Sequence, residues 1–272
     1  MKIPDFPLRD PLADRVRTLL GFRAPRWVRP WRRGDVVSDL FPWRADGDWQ
    51  TRFDLMNLSA LLFPDRAARE DVGVVFFDEK GEPIRQERFR IEPFAVKELG
   101  IADFVPGGIG TFACFHMAED GSGFDCAGGH MVERNYLAFR RNSDASPIWA
   151  YVHGNTYALS RTDADAPLRS VAGRPGSKIP YRPQMRFDDC DAFDLVFSNT
   201  TNRKLEVEVR CLDAVRKLVR RDHAILPPRG VARMAVDNAR RDIVMVENYG
   251  DHFMWRPVVF KFYQTGFDVL HS

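Results

Sequence analysis

Phe53-Asp54-Leu55-Met56 and Phe193-Asp194-Leu195-Val196 decide the fold of this chain, because the second run repeats the first at a distance of 140 residues. Each follows an aromatic residue twelve positions upstream, Phe41 in one case and Tyr181 in the other, and each leads into turn formers. A recurring match of this kind is the mark of internal duplication, and it governs every later assignment. Further along, Val72-Gly73-Val74-Val75-Phe76-Phe77 and Leu205-Glu206-Val207-Glu208-Val209 are both strand-like, and each precedes a polar turn, an alternating segment and proline (Pro93, or Pro227-Pro228). Behind the prolines stand Val96 and Leu99, then Val231 and Met234, at an offset of 135. At the end, His130 and Arg134 align with His252 and Arg256 at an offset of 122. Apolar runs follow in both, and Tyr151-Val152-His153 then matches Val269-Leu270-His271. The falling offset assigns about thirteen extra residues to the first copy, in the Gly-rich acidic loop 117–129.

Within each copy the pattern is that of strands. Arg88-Phe89-Arg90-Ile91 and Leu205-Glu206-Val207-Glu208-Val209 alternate charged with apolar residues, which buries one sheet face and wets the other. With about 110 residues per copy and turn signals at short intervals, the expected fold is all-β: two tandem antiparallel immunoglobulin-like β-sandwiches. A short, partly helical N-terminal arm precedes them, its helix placed over Asp10 to Leu20, where Leu12, Val16, Leu19 and Leu20 share a face and Gly21 ends it. Leu212 to Arg221 also fits a helical spacing, but the repeat assigns it to a hairpin. The expected divisions are an arm over 1–34, a first sandwich over 35–160, a Pro-, Gly- and Asp-rich linker over 161–178, and a second sandwich over 179–272.

The order of features in each copy resembles the sensory rhodopsin transducer family. A turn of Asx or Ser type follows the first strand, paired strands flank a Gly or charged hairpin, and a proline-led strand ends near Asp103 or Asp237. The resemblance covers the middle of each copy. It implies an immunoglobulin-like sandwich that assembles through its faces and binds small ligands or partners rather than catalysing. The histidine-arginine endings and the basic arm are additions to that pattern.

Composition narrows the classes of function. Forty Lys and Arg against thirty-eight Asp and Glu leave a net charge of +2 on 272 residues, so no field of one sign draws the whole chain to nucleic acid or membrane. A hydrophobic share of 44% excludes a disordered or collagen-like chain. No stretch has the roughly 18 apolar residues of a membrane span, and the N-terminus, interrupted by Pro4, Pro7, Asp10 and Asp14, lacks a secretory signal pattern. Cys114, Cys126, Cys190 and Cys211 form no C-x-x-C pair, which points to reduced thiols in a cytoplasm.

Three groups of residues are candidates for function. The first is the pair of endings, His130, Arg134 and His153 in one copy and His252, Arg256 and His271 in the other. On an extended strand, positions i and i+4 share a face, so each histidine would sit beside its arginine, a donor fork that suits an anion. The competing reading is a duplicated structural pair that bonds loop carbonyls. The second is the acidic loop, where Glu119, Asp120 and Asp125 match no calcium-loop spacing, and Cys126 with His130 is a weak nucleophile-base pattern. The third is the arm, in which Arg26, Trp27, Arg29, Trp31, Arg32 and Arg33 suit docking on an acidic partner or glycan, or wrapping of the sandwich edge.

His116 and His223 do not align in the repeat and no metal-ligand spacing exists, so no metal or other cofactor is expected. These readings converge on a cytoplasmic, bacterial, non-catalytic binding protein for an anionic or sugar-containing small molecule, a glycan or a protein partner. The alternatives are a metal-assisted or hydrolytic enzyme using His130, His153, Asp125 and Cys126, and an oligomeric scaffold built through sheet edges.

Overall fold

The computed structural model describes residues 35–119, 132–133, 135–144, 147–154, 157–170, 180–250 and 256–272. The arm, with its expected helix and with Arg26, Trp27, Arg29, Trp31, Arg32 and Arg33, lies outside them, as do His130, Arg134 and His252.

The described residues begin with β1 (Val36–Asp39), β2 (Phe41–Ala45) and β3 (Trp49–Met56), followed by a one-turn helix α1 (Leu58–Leu62) that Asn57 caps by accepting from the Ala60 amide at 2.8 Å. Then come β4 (Glu70–Asp78), β5 (Pro83–Ile91), β6 (Val96–Gly100), β7 (Gly108–Ala118), β8 (Val132–Glu133), β9 (Tyr136–Arg141) and β10 (Ala150–His153). Next are β11 (Tyr157–Arg161) and β12 (Arg169–Ser170). The second half holds β13 (Ala192–Ser198), β14 (Leu205–Leu212), β15 (Leu218–Leu226), β16 (Val231–Asp237), β17 (Met245–Gly250), β18 (Val258–Tyr263) and β19 (Gly266–His271).

The two halves share one topology. The first has sheets ordered β10-β9-β3-β6 and β2-β7-β4-β5; the second has β19-β18-β13-β16 and β17-β14-β15. Corresponding details recur, at an offset of 135 from β4 to β6 and of 142 at the end of β3. A register shift falls at Phe76/Phe77 and again at Cys211/Leu212. Left-handed backbone falls at Gly81 and Arg216, then at Phe94 and Arg229. After β3 the Asn57 amide donates to the Ile91 carbonyl, and after β13 the Asn199 amide donates to Leu226. Asp78 and Asp213 each accept two backbone amides within the following turn, so the hairpin expected at Leu212 to Arg221 is formed between β14 and β15.

Three features differ from the sequence expectation. The helix α1 is additional. Strand β7 runs to Ala118, so Met117 and Ala118 are strand rather than loop, while 120–129 lie outside the described residues. The segment read as a linker contributes Arg161 to β11 and Arg169 and Ser170 to β12, which join β1 and β8 in a third sheet ordered β12-β11-β1-β8. That sheet covers the outer side of β4 and β7, where Val75, Phe77, Ala113 and Phe115 pack with Val36, Leu40 and Leu159. A covered second face explains why Val72 to Phe77 is an unbroken apolar run.

The copies also share a core. Trp49 of the first copy meets Phe260 and Phe267 of the second edge-on at 5.1 and 4.7 Å, and Phe139 meets Phe260 at 4.8 Å. The β19-β18-β13-β16 sheet is therefore buried on both faces, and β13 is apolar almost throughout apart from Asp194. Its counterpart β3 alternates buried and half-buried residues, because only one side of that sheet is covered.

Candidate ligand-binding face

The uncovered side of the β10-β9-β3-β6 sheet is built by alternation. On β9, Leu137 and Phe139 point into the core, so Tyr136, Ala138 and Arg140 point out. Across the ladder, Val152 stands opposite Leu137 and His153 opposite Tyr136, which puts Trp149, Tyr151 and His153 on the outer side next to β9. Gln50 stands opposite Arg140, and Arg52 opposite Ala138.

Aromatic rings and guanidinium groups interleave on this surface. The Arg52 guanidinium lies 4.9 Å from the Trp149 ring and 5.6 Å from the Tyr151 ring, and that of Arg140 lies 4.8 Å from Trp149. Arg52 donates to the Tyr151 hydroxyl and pairs with Asp54 at 3.0 Å and Glu98 at 3.3 Å. The Tyr136 and His153 rings lie against each other at a tilt of 37°, with centres 4.1 Å apart. Tyr136 is 47% and Tyr151 45% exposed, whereas Ala138 is buried between them. Trp149, Tyr151 and His153 form a row about 13 Å long at strand spacing. The arrangement can stack the flat faces of rings and offers donors and carboxylates alongside.

Of the residues singled out from sequence, His153 belongs to this face. His271 does not share it. By the ladder registers, Phe53 opposite Leu99 corresponds to Leu195 opposite Met234, so Leu137 corresponds to Val259 and His153 to His271, on a face that in the second copy is turned to the first. Val269 lies in the shared core and His271 follows it on the same side of β19, beneath the first copy. Arg256 places its guanidinium 5.9 Å from the Tyr181 ring in the second copy. Sequence reading missed Trp149, Arg52 and Arg140. The signal was the alternation Trp149-Ala150-Tyr151-Val152-His153, read only for its last three residues.

A second cluster has the connectivity of a nucleophile, base and acid. The Cys114 thiol lies 3.9 Å from His116 Nε2, and His116 Nδ1 lies 2.7 Å from Glu70. All three side chains are fully buried, which denies the thiol contact with a substrate. Glu70 is committed elsewhere: its carboxylate accepts the Leu58 and Ser59 amides at the start of α1. Burial works to raise the Glu70 pKa, and the His116 and Ser59 contacts outweigh it, holding the carboxyl below its usual range. The cluster ties α1 to β4 and β7. Among the described residues no three His, Cys, Asp or Glu side chains converge as a metal site, and no helix is long and apolar enough to cross a membrane.

Neither a protein-family model nor a curated protein matches this chain. Two solved structures are similar to it over 86% of its length. One is a glycosyl hydrolase family 2 member from Bacteroides cellulosilyticus DSM 14838, at 11% identity and a TM-score of 0.15, with 28% of that protein covered. The other is a beta-glucuronidase from glycoside hydrolase family 2, at 8% identity and a TM-score of 0.15, with 23% covered. The chain thus spans about a quarter of the length of these proteins, and a TM-score so low carries no argument about its fold or its activity.

Proposed function

We propose that this protein is a non-catalytic binding module and that the open face of the β10-β9-β3-β6 sheet takes a sugar-containing ligand. The observation that carries the reading is the comparison of one surface in two copies. In the second copy these positions hold Phe260, Phe267 and Val269, and the first copy covers them. By register the first copy holds Ala138, Trp149 and Tyr151 at these positions, and Tyr151 is exposed there with Tyr136 and His153 alongside. Rings with one polar edge suit a ligand that is apolar on its flat faces and hydroxylated at its rim, as a pyranose is. The row is long enough for more than one such ring, and Gln50, Asp54 and Glu98 border it as partners for hydroxyls.

The resemblance to the sensory rhodopsin transducer family, which implied binding rather than catalysis, agrees with this reading. The face is an open sheet surface, with no nucleophile-base pair among its described residues, and His153 enters it as a stacking ring.

The test is titration calorimetry of the purified chain against an oligosaccharide panel, with Tyr151→Ala and Trp149→Ala beside the parent. Removing one stacking ring is expected to weaken binding about tenfold or more. Binding that is indifferent to both substitutions would remove this face as the site.

A further inference from the structure

We infer that the sugar taken by this face is anionic and that Arg140 reads its acid group. The inference rests on the binding module proposed above and names its ligand class.

Among the described residues of the face, the arginines have carboxylate partners except at one position. Arg52 lies between Asp54 and Glu98. Arg141, next in sequence, is turned to the other side and pairs with Asp144. Arg140 has no carboxylate partner among the described residues. Its Nη2 donates to the neutral Gln50 amide, and its buried Nε meets no acceptor among them. Trp149 lies against the guanidinium and fixes its plane. A cation held in one orientation, beside an aromatic row and short of an anion, is a preformed site for a planar carboxylate or a sulfate. The second copy has Phe262 at the corresponding strand position, where no ligand face is open.

A ligand ring stacked on Tyr151 or Trp149 would carry its acid group toward Arg140, while Arg52, already paired, holds the Tyr151 hydroxyl. Arg140 is therefore a specificity-determining residue, and the aromatic row supplies the part of the affinity common to neutral and acidic sugars.

The experiment is calorimetry at physiological salt with three oligosaccharides of matched length: a uronate oligomer, its methyl-esterified neutral form, and a sulfated neutral oligomer. They are titrated into the parent chain, Arg140→Gln and Tyr151→Ala, each checked for an unchanged thermal midpoint. The parent is expected to prefer the uronate over the ester about tenfold or more. Arg140→Gln is expected to bring the two within about twofold by weakening the uronate alone, and Tyr151→Ala to weaken both. A sulfated oligomer that outbinds the uronate in an Arg140-dependent way identifies sulfate as the anion and upholds the inference. Equal binding of ester and uronate by the parent, or a preference that survives Arg140→Gln, overturns the anion inference and leaves the sugar face standing. Failure of all three sugars to bind overturns both.

Discussion

Replacing Asp194 with Ala tests whether the two copies are held as one folding unit. Asp194 is 1% exposed and accepts from Arg44 Nη1 at 2.9 Å and from Arg233 Nε at 2.7 Å. Arg44, 2% exposed, comes from the first copy, with its guanidinium 4.2 Å from the Trp49 ring and 5.1 Å from Phe260 of the second. Breaking a buried pair by removing one partner costs about 3–5 kcal/mol, because the other charge is left without compensation in a poorly polarisable site. Arg44 would keep Asp46, which it bonds at 2.9 and 2.8 Å, so the loss belongs at the low end, about 3 kcal/mol. Urea unfolding followed by tryptophan fluorescence should show a midpoint lowered by about 1 M or more.

The duplication supplies the control. Asp54, on the equivalent sheet of the first copy, is half-buried and paired with Arg52 at 3.0 Å, and Asp54→Ala should cost about 1 kcal/mol or less, as surface pairs do. Equal losses from the two substitutions, or a loss at Asp194 under about 1 kcal/mol, would refute the argument that this bridge locks the copies together.

Three further outcomes follow from the geometry. Gly81 has φ +80° and an added Cβ would fall 1.8 Å from the Pro228 carbonyl oxygen of the other copy, so Gly81→Ala should destabilise by about 3 kcal/mol. Gly47, at φ +59° with open space around it, should lose only about 1 kcal/mol as Ala in the same thermal melts. Because the folded pKa of Glu70 lies below its usual value of 4.5, its contribution is present above that pH and lost as the pH falls through the folded value. Stability measured from pH 6 down to 3 should therefore fall less steeply in Glu70→Gln than in the parent, and parallel curves would contradict the assignment. Burial pushes the Cys190 thiol to about 11 and the Cys211 thiol to about 12, so peptide mapping after iodoacetamide at pH 8 should find both unlabelled until denaturant is added.

The duplication was legible because strands leave a local record. Alternation of charged and apolar residues fixes which side of β5 or β14 is wet, and proline and Asx turns fix where hairpins reverse, all within a few residues of sequence. What the sequence could not show is what covers a face. The pairing of β12 with β11 depends on two residues inside a Pro- and Gly-rich stretch, a non-local contact that composition obscures. The run Phe53-Asp54-Leu55-Met56 is a related case. It matches Phe193-Asp194-Leu195-Val196 in sequence, but the ladders make Phe53 the counterpart of Leu195, a slip of two residues that keeps the alternation intact while moving each side chain along the ladder. Lys261 is a further case. It occupies the core position of Phe139 and is satisfied there by Asp189 at 2.8 and 2.9 Å, a partner supplied by the connection before β13.

The same positions on equivalent sheets thus carry different chemistry according to what lies over them. Phe260, Phe267 and Val269 are the residues of a surface that another layer of protein desolvates, and the buried Asp194 needs two arginines to remain there. In the first copy the position of Asp194 holds Arg52, which pairs with Asp54 and Glu98 of its own sheet. A surface that supplies its own counter-ion no longer needs an Arg44 from a neighbour, so the docking contact of the second copy has no counterpart on the first. Divergence after duplication has therefore closed one face into an internal interface and left the other as a charged, aromatic surface. On the open face Arg140 has no acid partner among the described residues, and that residue separates the binding proposal from a merely solvated sheet.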